Sequence, residues 1–371
     1  MPYKERKKII ADIQKKREGR TLISLCNFDR LSEPPLPGIS IPFQADLKEC
    51  LYRVLKESKL SDKGIDIFLY TRGGDTNSVW PIVSLLREYD KDFQVLIPFR
   101  AHSAGTLLSL ASKNIVMTRL AELSPIDPST GNQFNPIDPI NNRNRLGISV
   151  EDVNAYKDFI KGAFNFKDQK SFDANEMEIL KLTIEKLTQQ IHPLALGNVH
   201  RVHTLIKRLA ERLLKLHREK GFDVAKVITE LTVEPGSHLH MFSRSEALDI
   251  LGKDFIVFAD YELETLLDQL LRQYEDDFDL RSTLYLSRLM DDNSPEKDFR
   301  FIGGALESNQ WGYLFETICK AFQSSKVPSN ITIQVPAGQP MPLIPGLPRE
   351  YRIDIKEQRW CKNIEPKGVT K

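Results

Sequence analysis

Short, almost continuously apolar runs alternate with helical patterns between residues 45 and 128. Residues 65–70 (IDIFLY) and 94–98 (QVLIP) are typical of strands that are buried on both faces of a parallel sheet. Apolar residues at helical spacing follow each of these runs, over residues 79–86 and 107–110. The pattern therefore predicts an α/β core in which strands and helices alternate along the chain.

Two long helices follow this core, and after them a C-terminal region that combines an amphipathic helix with half-exposed strands. Residues 177–191 and 194–217 predict two long helices, because their apolar residues recur at helical spacing. The C-terminal third then predicts an amphipathic helix at 261–274 and alternating, half-exposed strands at 331–335 and 351–355. The leucine stripe of the 261–274 helix needs a partner, which is either a second subunit or the core of its own chain.

These patterns predict an α/β protein with added helices and a C-terminal α+β extension. We expect three segments: an N-terminal arm over residues 1–40, a core over 41–256, and a helical and β extension over 257–371. The N-terminal arm begins with a basic segment that has a helical pattern, and a short apolar strand follows at residues 22–25.

Composition and charge narrow the classes of function. The chain has 371 residues, of which 41% are hydrophobic and 28% charged, values that are ordinary for a soluble globular protein. Its net charge of +1 gives no reason to expect a nucleic-acid partner, and no apolar run reaches the ~18 residues that a membrane span needs. Its 4 cysteines are scattered, without metal spacing or a disulfide framework. We therefore expect a cytoplasmic protein with no membrane span, no metal and no cofactor.

Two glycine-bearing turns and one serine lie at the ends of the buried strands. Residues 71–75 (TRGGD) follow one strand, and residues 101–106 (AHSAGT) follow the next. A nucleophilic serine needs an exposed hydroxyl at a tight strand-to-helix turn with small neighbours, which is the position of Ser103. Backbone amides at such turns can stabilise an oxyanion. The predicted oxyanion donors are Gly73, Gly74 and Ala104.

Each of these turns also has a simpler interpretation. Ser103 could be only the N-cap of a helix, and the two glycines could form only a tight turn. If the Gly74 amide serves an oxyanion, a larger residue at this position should slow acylation with little change in thermal stability. His102 is expected to line the substrate cleft, because neighbouring side chains diverge at a sharp turn.

Three motifs together resemble the serine dehydrogenase proteinase family, a branch of the Clp-protease/crotonase fold. They are residues 73–75 (GGD), 101–106 (AHSAGT) and 123–128 (LSPIDP), with further similarity at 191–198 and 231–247. The resemblance implies a ββα spiral core, serine-protease chemistry and ring-like homo-oligomers.

The resemblance also implies a catalytic triad. The family is described as using serine, aspartate and histidine in that chain order, and the matching residues here are Ser103, Asp127 and His238. Clp peptidases use the order serine, histidine, aspartate, and the imidazole of a working triad must lie between hydroxyl and carboxylate. Lys157 and His240 therefore stay open as alternative bases, since related Clp-fold peptidases use a Ser–Lys dyad. Asp127 could also be a simple turn former.

We predict an ATP-independent Clp-fold serine peptidase, a hydrolase that cleaves peptide or protein substrates through an acyl-enzyme on Ser103. No Gly-x-x-x-x-Gly-Lys phosphate loop is present, so energy-driven unfolding would need a separate partner. Two alternatives stay open. A crotonase-type enzyme would use the same turns to stabilise a thioester enolate, and a catalytically idle scaffold would bind peptides without cleaving them.

Overall fold

The computed structural model describes residues 2–33, 36, 38–126, 129–130, 132–138, 145–163, 174–217, 222–232, 240–290, 294–327 and 343–362. In chain order its helices are α1 (Pro2–Lys16), α2 (Leu47–Glu57), α3 (Val79–Tyr89), α4 (Ala104–Leu110), α5 (Val150–Ala163), α6 (Ala174–Gln190), α7 (Pro193–Leu214), α8 (Val224–Thr232), α9 (Arg244–Leu251), α10 (Tyr261–Asp277) and α11 (Leu286–Leu289). Its strands are β1 (Thr21–Asn27), β2 (Ser32–Glu33), β3 (Ile65–Thr71), β4 (Gln94–Ile97), β5 (Arg100–Ala101), β6 (Ile115–Met117), β7 (Glu122–Leu123), β8 (Ser129–Thr130), β9 (Ile148–Ser149), β10 (Phe242–Ser243), β11 (Ile256–Phe258), β12 (Leu284–Tyr285), β13 (Glu296–Glu307), β14 (Gly312–Ser325) and β15 (Arg349–Lys362).

The chain forms two compact units. One consists of Met1–Glu122 together with Gly252–Lys371, and the other of Leu123–Leu251. The three segments expected from the sequence do not coincide with these units. The reason is that β13 pairs antiparallel with β1, so the C-terminal segment contributes strands to the same sheet as the N-terminal one.

The first unit is built on a mixed sheet whose middle is parallel. β3 pairs in parallel with β1, β4 and β5, and the parallel order continues from β4 through β6 to β11. On the other side, β13, β14 and β15 extend the sheet as antiparallel neighbours. The predicted α/β core is therefore confirmed. The predicted strand at residues 351–355 lies within β15, whereas residues 331–335 lie outside the described part of the chain.

Burial explains why the core strands read as continuous apolar runs. Every residue of β1 and β3 is buried, as expected for parallel strands that are covered on both faces. Helices α1 and α10 contact each other and share one hydrophobic cluster with the sheet, to which Ile10, Ile13, Leu267 and Leu270 belong. The leucine stripe of α10 thus packs into the core of its own chain.

A buried ion-pair cluster ties α1 to β13 and α10. Arg6 donates from Nε and Nη2 to the two carboxylate oxygens of Glu307, at 2.9 and 2.8 Å, and also pairs with Asp277. Tyr274 Oη donates to Glu307 at 2.8 Å. Burial lowers the pKa of Arg6, but the charge and hydrogen bonds of Glu307 outweigh this effect and leave the pKa above its usual value. Arg6 is therefore a fully buried cation that is paired with the carboxylates of Glu307 and Asp277.

Replacing Arg6 with methionine should lower the free energy of unfolding by about 3–5 kcal/mol, because Glu307 then keeps a buried charge without its partner. The urea-denaturation midpoint measures this loss. Arg272→Met is the matched control: it removes an exposed pair with Asp268 at 2.7 Å and should leave the midpoint nearly unchanged. Equal shifts in the two variants would contradict the assignment.

The second unit is mainly helical. The predicted helices at residues 177–191 and 194–217 correspond to α6 and α7. α7 begins after His192, whose Nδ1 accepts a hydrogen bond from the Leu194 amide at 3.1 Å and so acts as an N-cap. Across the described parts of both units, none of the helices is both long and apolar enough to span a membrane.

Candidate functional site

The carboxyl ends of three parallel strands lie side by side in the first unit. Asn27 at the end of β1 is opposite Thr71 at the end of β3, and Thr71 is opposite Ala101 in β5. Residues that follow these strands are therefore brought to one edge of the sheet, which is where open α/β sheets place their ligand sites. Both turns singled out in the sequence lie at this edge.

Ser103 lies at a sharp turn between β5 and α4. Its backbone has φ 50° and ψ −107°, a region that residues with a side chain rarely adopt. Within residues 101–110 it is the one residue that is not buried. In this described turn, its side chain forms no cap hydrogen bond with α4. A simple N-cap role therefore does not account for the serine.

The glycine turn after β3 packs directly against Ser103. A Cβ atom on Gly73 would lie 2.7 Å from Ser103 Cβ and 3.3 Å from its Oγ. The φ of Gly73, 97°, is also one that glycine adopts without strain. Its amide donates to Thr71 Oγ1 at 3.0 Å. The Gly73 N–H is therefore already engaged, and the threonine fixes the start of the turn.

Gly74 is held by the backbone of Phe43. The Phe43 amide donates to the Gly73 carbonyl, and the Asp75 amide donates to the Phe43 carbonyl, both at 2.8 Å. In a parallel bridge of this kind the amide of the intervening residue points to the opposite side, so the Gly74 N–H points away from Phe43.

The same contact corrects one expectation about Gly74. A Cβ atom there would lie 2.4 Å from both the amide nitrogen and the carbonyl oxygen of Phe43. Backbone atoms cannot yield as a flexible side chain can, so a larger residue must displace the turn. The expected small change in thermal stability is wrong, and substitution of Gly74 cannot separate a structural role from a catalytic one.

Close packing also fixes the start of α4. Ala104 is the first residue of the helix, so its N–H has no carbonyl partner within the helix. A Cβ atom on Gly105 would lie 2.6 Å from Thr71 Cγ2. The absence of a side chain at Gly105 thus lets the amino end of α4 approach the end of β3, where Thr71 also anchors the glycine turn.

His102 is buried and does not line an open cleft. Its Nε2 lies 3.0 Å from Glu122 Oε1, and the residue is only 7% exposed. Burial lowers the pKa of His102, and the nearby Arg100 and Arg72 lower it further, while Glu122 acts in the opposite direction. The imidazole therefore serves to attach the β5 turn to β7.

A charge network that sequence reasoning missed surrounds this histidine. Asp29 accepts hydrogen bonds from Tyr70 Oη at 2.8 Å, from Arg72 Nη1 at 3.2 Å and from Arg100 Nη1 at 3.3 Å. Arg100 Nε also contacts Glu122 at 3.3 Å. A signal was present for Asp29, Tyr70 and Arg72, because they lie at or just beyond the carboxyl ends of β1 and β3. The network stabilises the edge of the sheet that carries both turns.

The other predicted catalytic residues belong to the second unit. Asp127 and His238 lie outside the described residues, and so does the side chain of Lys157, which belongs to α5. The His240 side chain is 40% exposed, and its Nε2 lies 3.1 Å from Glu246 Oε1. Over the described ranges, no group of three or more His, Cys, Asp or Glu residues is placed to hold a metal ion. The structure thus brings the serine and glycine turns together and leaves the general base a prediction.

Comparison with protein families identifies the segment that carries both turns. Residues 2–144 match the family model of the ClpP-like SDH-type serine proteinases. The resemblance predicted from residues 73–75, 101–106 and 123–128 is thereby confirmed, and the matched segment contains both turns and Asp127. Residues 191–198 and 231–247, which include His238, lie beyond the matched segment. The family match supports a serine peptidase.

Two proteins of Methanocaldococcus jannaschii are similar in sequence. The uncharacterized protein MJ0137 is 29% identical over 126 residues, which is 34% of this chain and 43% of that protein. The uncharacterized protein MJ1495 is 24% identical over 226 residues, which is 57% of this chain and 76% of that protein. The chain thus spans less than half the length of the first relative.

Two solved structures resemble the fold. Both are alanine mutants of the 1510-N membrane-bound stomatin-specific protease, the second in complex with a substrate peptide. The first is 17% identical with a TM-score of 0.32, and the match covers 62% of this chain and 78% of that chain. The second is 15% identical with a TM-score of 0.34, covering 60% and 73%.

Proposed function

We propose that this chain is a serine peptidase that cleaves peptide bonds through an acyl-enzyme on Ser103. The observation that carries the proposal is the strained, partly exposed Ser103, at φ 50°, packed against Gly73. A strained strand-to-helix turn is how hydrolases of several folds expose a nucleophilic hydroxyl, and strain of this kind persists where the surrounding structure enforces it. The family match over residues 2–144 supports the same chemistry.

The two turns supply the parts that acyl transfer needs. Ser103 Oγ attacks the scissile carbonyl carbon, its proton passes to a general base, and the carbonyl oxygen becomes an oxyanion. We assign the oxyanion hole to the amides of Gly74 and Ala104, because neither has a partner along its own turn or helix. The Gly73 amide instead holds the turn through Thr71. Collapse of the tetrahedral intermediate releases the amine, and water then hydrolyses the ester.

The proposal also includes a ββα spiral topology for the core and a ring-like homo-oligomer. The parallel strands β1, β3, β4, β6 and β11, with α3 and α4 among their connections, are compatible with the ββα spiral of Clp and crotonase proteins. A ring-like homo-oligomer and activity without ATP follow from the family resemblance. Asp127 and His238 are the proposed triad partners of Ser103 on the same basis.

Replacing Thr71 with valine should lower kcat about 10-fold and change KM little. Valine keeps the buried shape of Thr71 but removes the oxygen that accepts the Gly73 amide, so the turn presenting the Gly74 amide loses its fixed position. Complete loss of one oxyanion donor costs about 10²–10³ in turnover, and a loosened donor should cost less. Steady-state kinetics on a peptide substrate measure the effect.

The matched control for this variant is Thr21→Val. Thr21 is also buried, and its Oγ1 accepts the Ser61 amide at 2.8 Å, but it lies at the opposite, amino end of β1. It should lower stability by a similar amount and leave kcat unchanged. A Thr71→Val enzyme with unchanged kcat would remove the assigned role of the glycine turn.

A fluorophosphonate probe on the purified protein tests the proposal directly. An activated serine reacts covalently with this probe, and mass spectrometry of the digest identifies the modified residue. An adduct on Ser103 together with hydrolysis of a peptide library is the expected result. A protein that takes up no probe and cleaves no peptide would instead be the idle scaffold.

A further inference from the structure

The strand β15 forms an edge of the sheet in the first unit. It pairs with β14 over 14 residues, and no other strand in the described part of the chain pairs with its outer side. An unpaired edge of this length presents a row of backbone donors and acceptors that can pair with another chain. Proteins therefore either block such edges or use them.

The first part of β15 is complementary to itself when two copies run in opposite directions. Residues 349–355 read REYRIDI and form the regular part of this run, because Lys356 is the extra residue of a bulge between Ile355 and Glu357. When two copies are aligned antiparallel about Ile353, Arg352 of each copy faces Asp354 of the other. Tyr351 then faces Ile355, and Ile353 faces itself.

This complementarity is specific to one register. A shift of one residue in either direction sets Arg352 or Asp354 opposite the apolar Ile353. A shift of two residues sets Asp354 opposite Asp354 or Arg352 opposite Arg352, and like charges directly opposite each other destabilise a sheet. An edge that only blocks pairing needs charges, but it does not need signs that alternate in this way.

The side chains in question are available at the surface. The side chains of Arg352 and Asp354 are 69% and 39% exposed, and they pair along their own strand through two contacts of 3.3 Å, Nε with Oδ1 and Nη2 with Oδ2. Exchanging this contact for the same pair between two chains costs little. Ile355 is 38% exposed and would be covered. The bulge at Lys356 lies outside residues 349–355, so the edge is regular where it is centred on Ile353.

We propose that β15 pairs antiparallel with β15 of a second copy of this chain, about a two-fold axis at Ile353. The contact is isologous, because the same surface is used by both copies, and it closes after two subunits. It joins two sheets into one continuous sheet. It differs from the head-to-tail contacts of a ring and does not depend on peptidase activity.

Charge reversal within β15 tests the proposal on the full-length chain. Sedimentation equilibrium should show that the protein associates in pairs, whether the unit that pairs is a single chain or the proposed ring. Arg352→Asp or Asp354→Arg should each raise the Kd of this association about 10-fold or more, because each creates two like-charged pairs by symmetry. The double variant, which carries both changes, restores opposite charges and should dimerise like the original protein. Arg272→Asp, an exposed charge reversal on α10, is the control and should change nothing.

Mixing the two single variants is the sharpest arm of the test. One copy then has two acidic residues at positions 352 and 354, the other has two basic ones, and the two should form a heterodimer although neither dimerises well alone. This outcome cannot come from a misfolded variant. A protein that is monomeric at high micromolar concentration, or a larger oligomer whose size no variant changes, would overturn the proposal.

Discussion

Replacing Ser103 with alanine should abolish peptidase activity and fluorophosphonate labelling while the fold persists. Loss of a catalytic serine typically lowers turnover by about 10⁴-fold or more. The fold should tolerate the change, since Ser103 is partly exposed and its side chain does not cap α4. Alanine also adopts the strained φ of this residue at a cost similar to that of serine. Initial rates and the thermal melting curve of the variant measure the two halves of the prediction.

A second serine provides the control for this experiment. Ser282 is exposed in the first unit and plays no part in the proposed site, so Ser282→Ala should keep both labelling and activity. An adduct that maps to another serine, or a fully active Ser103→Ala protein, would remove Ser103 as the nucleophile. A large drop in melting temperature would show instead that the hydroxyl is needed for folding.

Removing the general base should also cause a large loss of activity, and the pH dependence of kcat/KM should identify which residue is the base. If His238 accepts the proton from Ser103, activity requires the neutral imidazole. The value of kcat/KM should then rise with pH through an apparent pKa of ~6–7. His238→Ala should lower activity by several orders of magnitude, and Asp127→Asn by somewhat less, because the aspartate orients and stabilises the histidine.

A lysine base predicts a different profile. Lys157 must lose its proton to act, so the rise in kcat/KM should occur at ~7–8 or above. His238→Ala would then change peptidase activity little, and Lys157→Met would be inactive. We favour His238, because the sequence predicts a turn at Pro235 and Gly236 just before it, and because it combines a titratable imidazole with a motif match. His240→Ala is the control, since His240 already pairs with Glu246. If His238→Ala remains active, a Ser103–Lys157 dyad would explain the catalysis better than the triad.

The nucleophile turn could be predicted because its signals are local. The apolar runs of β3 and β4 and the helical spacing in α3 and α4 are each contained in a few consecutive residues. The carboxyl ends of parallel strands meet at one edge, so Ser103 and Gly73 could be expected to lie together before any coordinates were known. The same reasoning extended to Asp29 and Arg72, which follow the ends of β1 and β3, would have found part of the charge network.

Contacts between distant segments left no such signal. Phe43 determines the orientation of the Gly74 turn through backbone atoms alone, and a backbone contact does not depend on which side chain is present. The pairing of β13 with β1 was also missed, because antiparallel partners that are far apart in sequence share no local pattern. The C-terminal segment therefore looked like an extension, although β13 continues the central sheet.

The buried pair of Arg6 with Glu307 has a consequence for synthesis on the ribosome. Its two residues are 301 positions apart, and translation proceeds at roughly 5–20 residues per second. The N-terminal helix therefore emerges some tens of seconds before its carboxylate partner exists. The Leu123–Leu251 unit, in contrast, is contiguous in sequence and is complete before β13 is made. Each nascent chain thus passes through a period in which β1 has an unpaired edge, and this is when it is most exposed to aggregation and most dependent on chaperones.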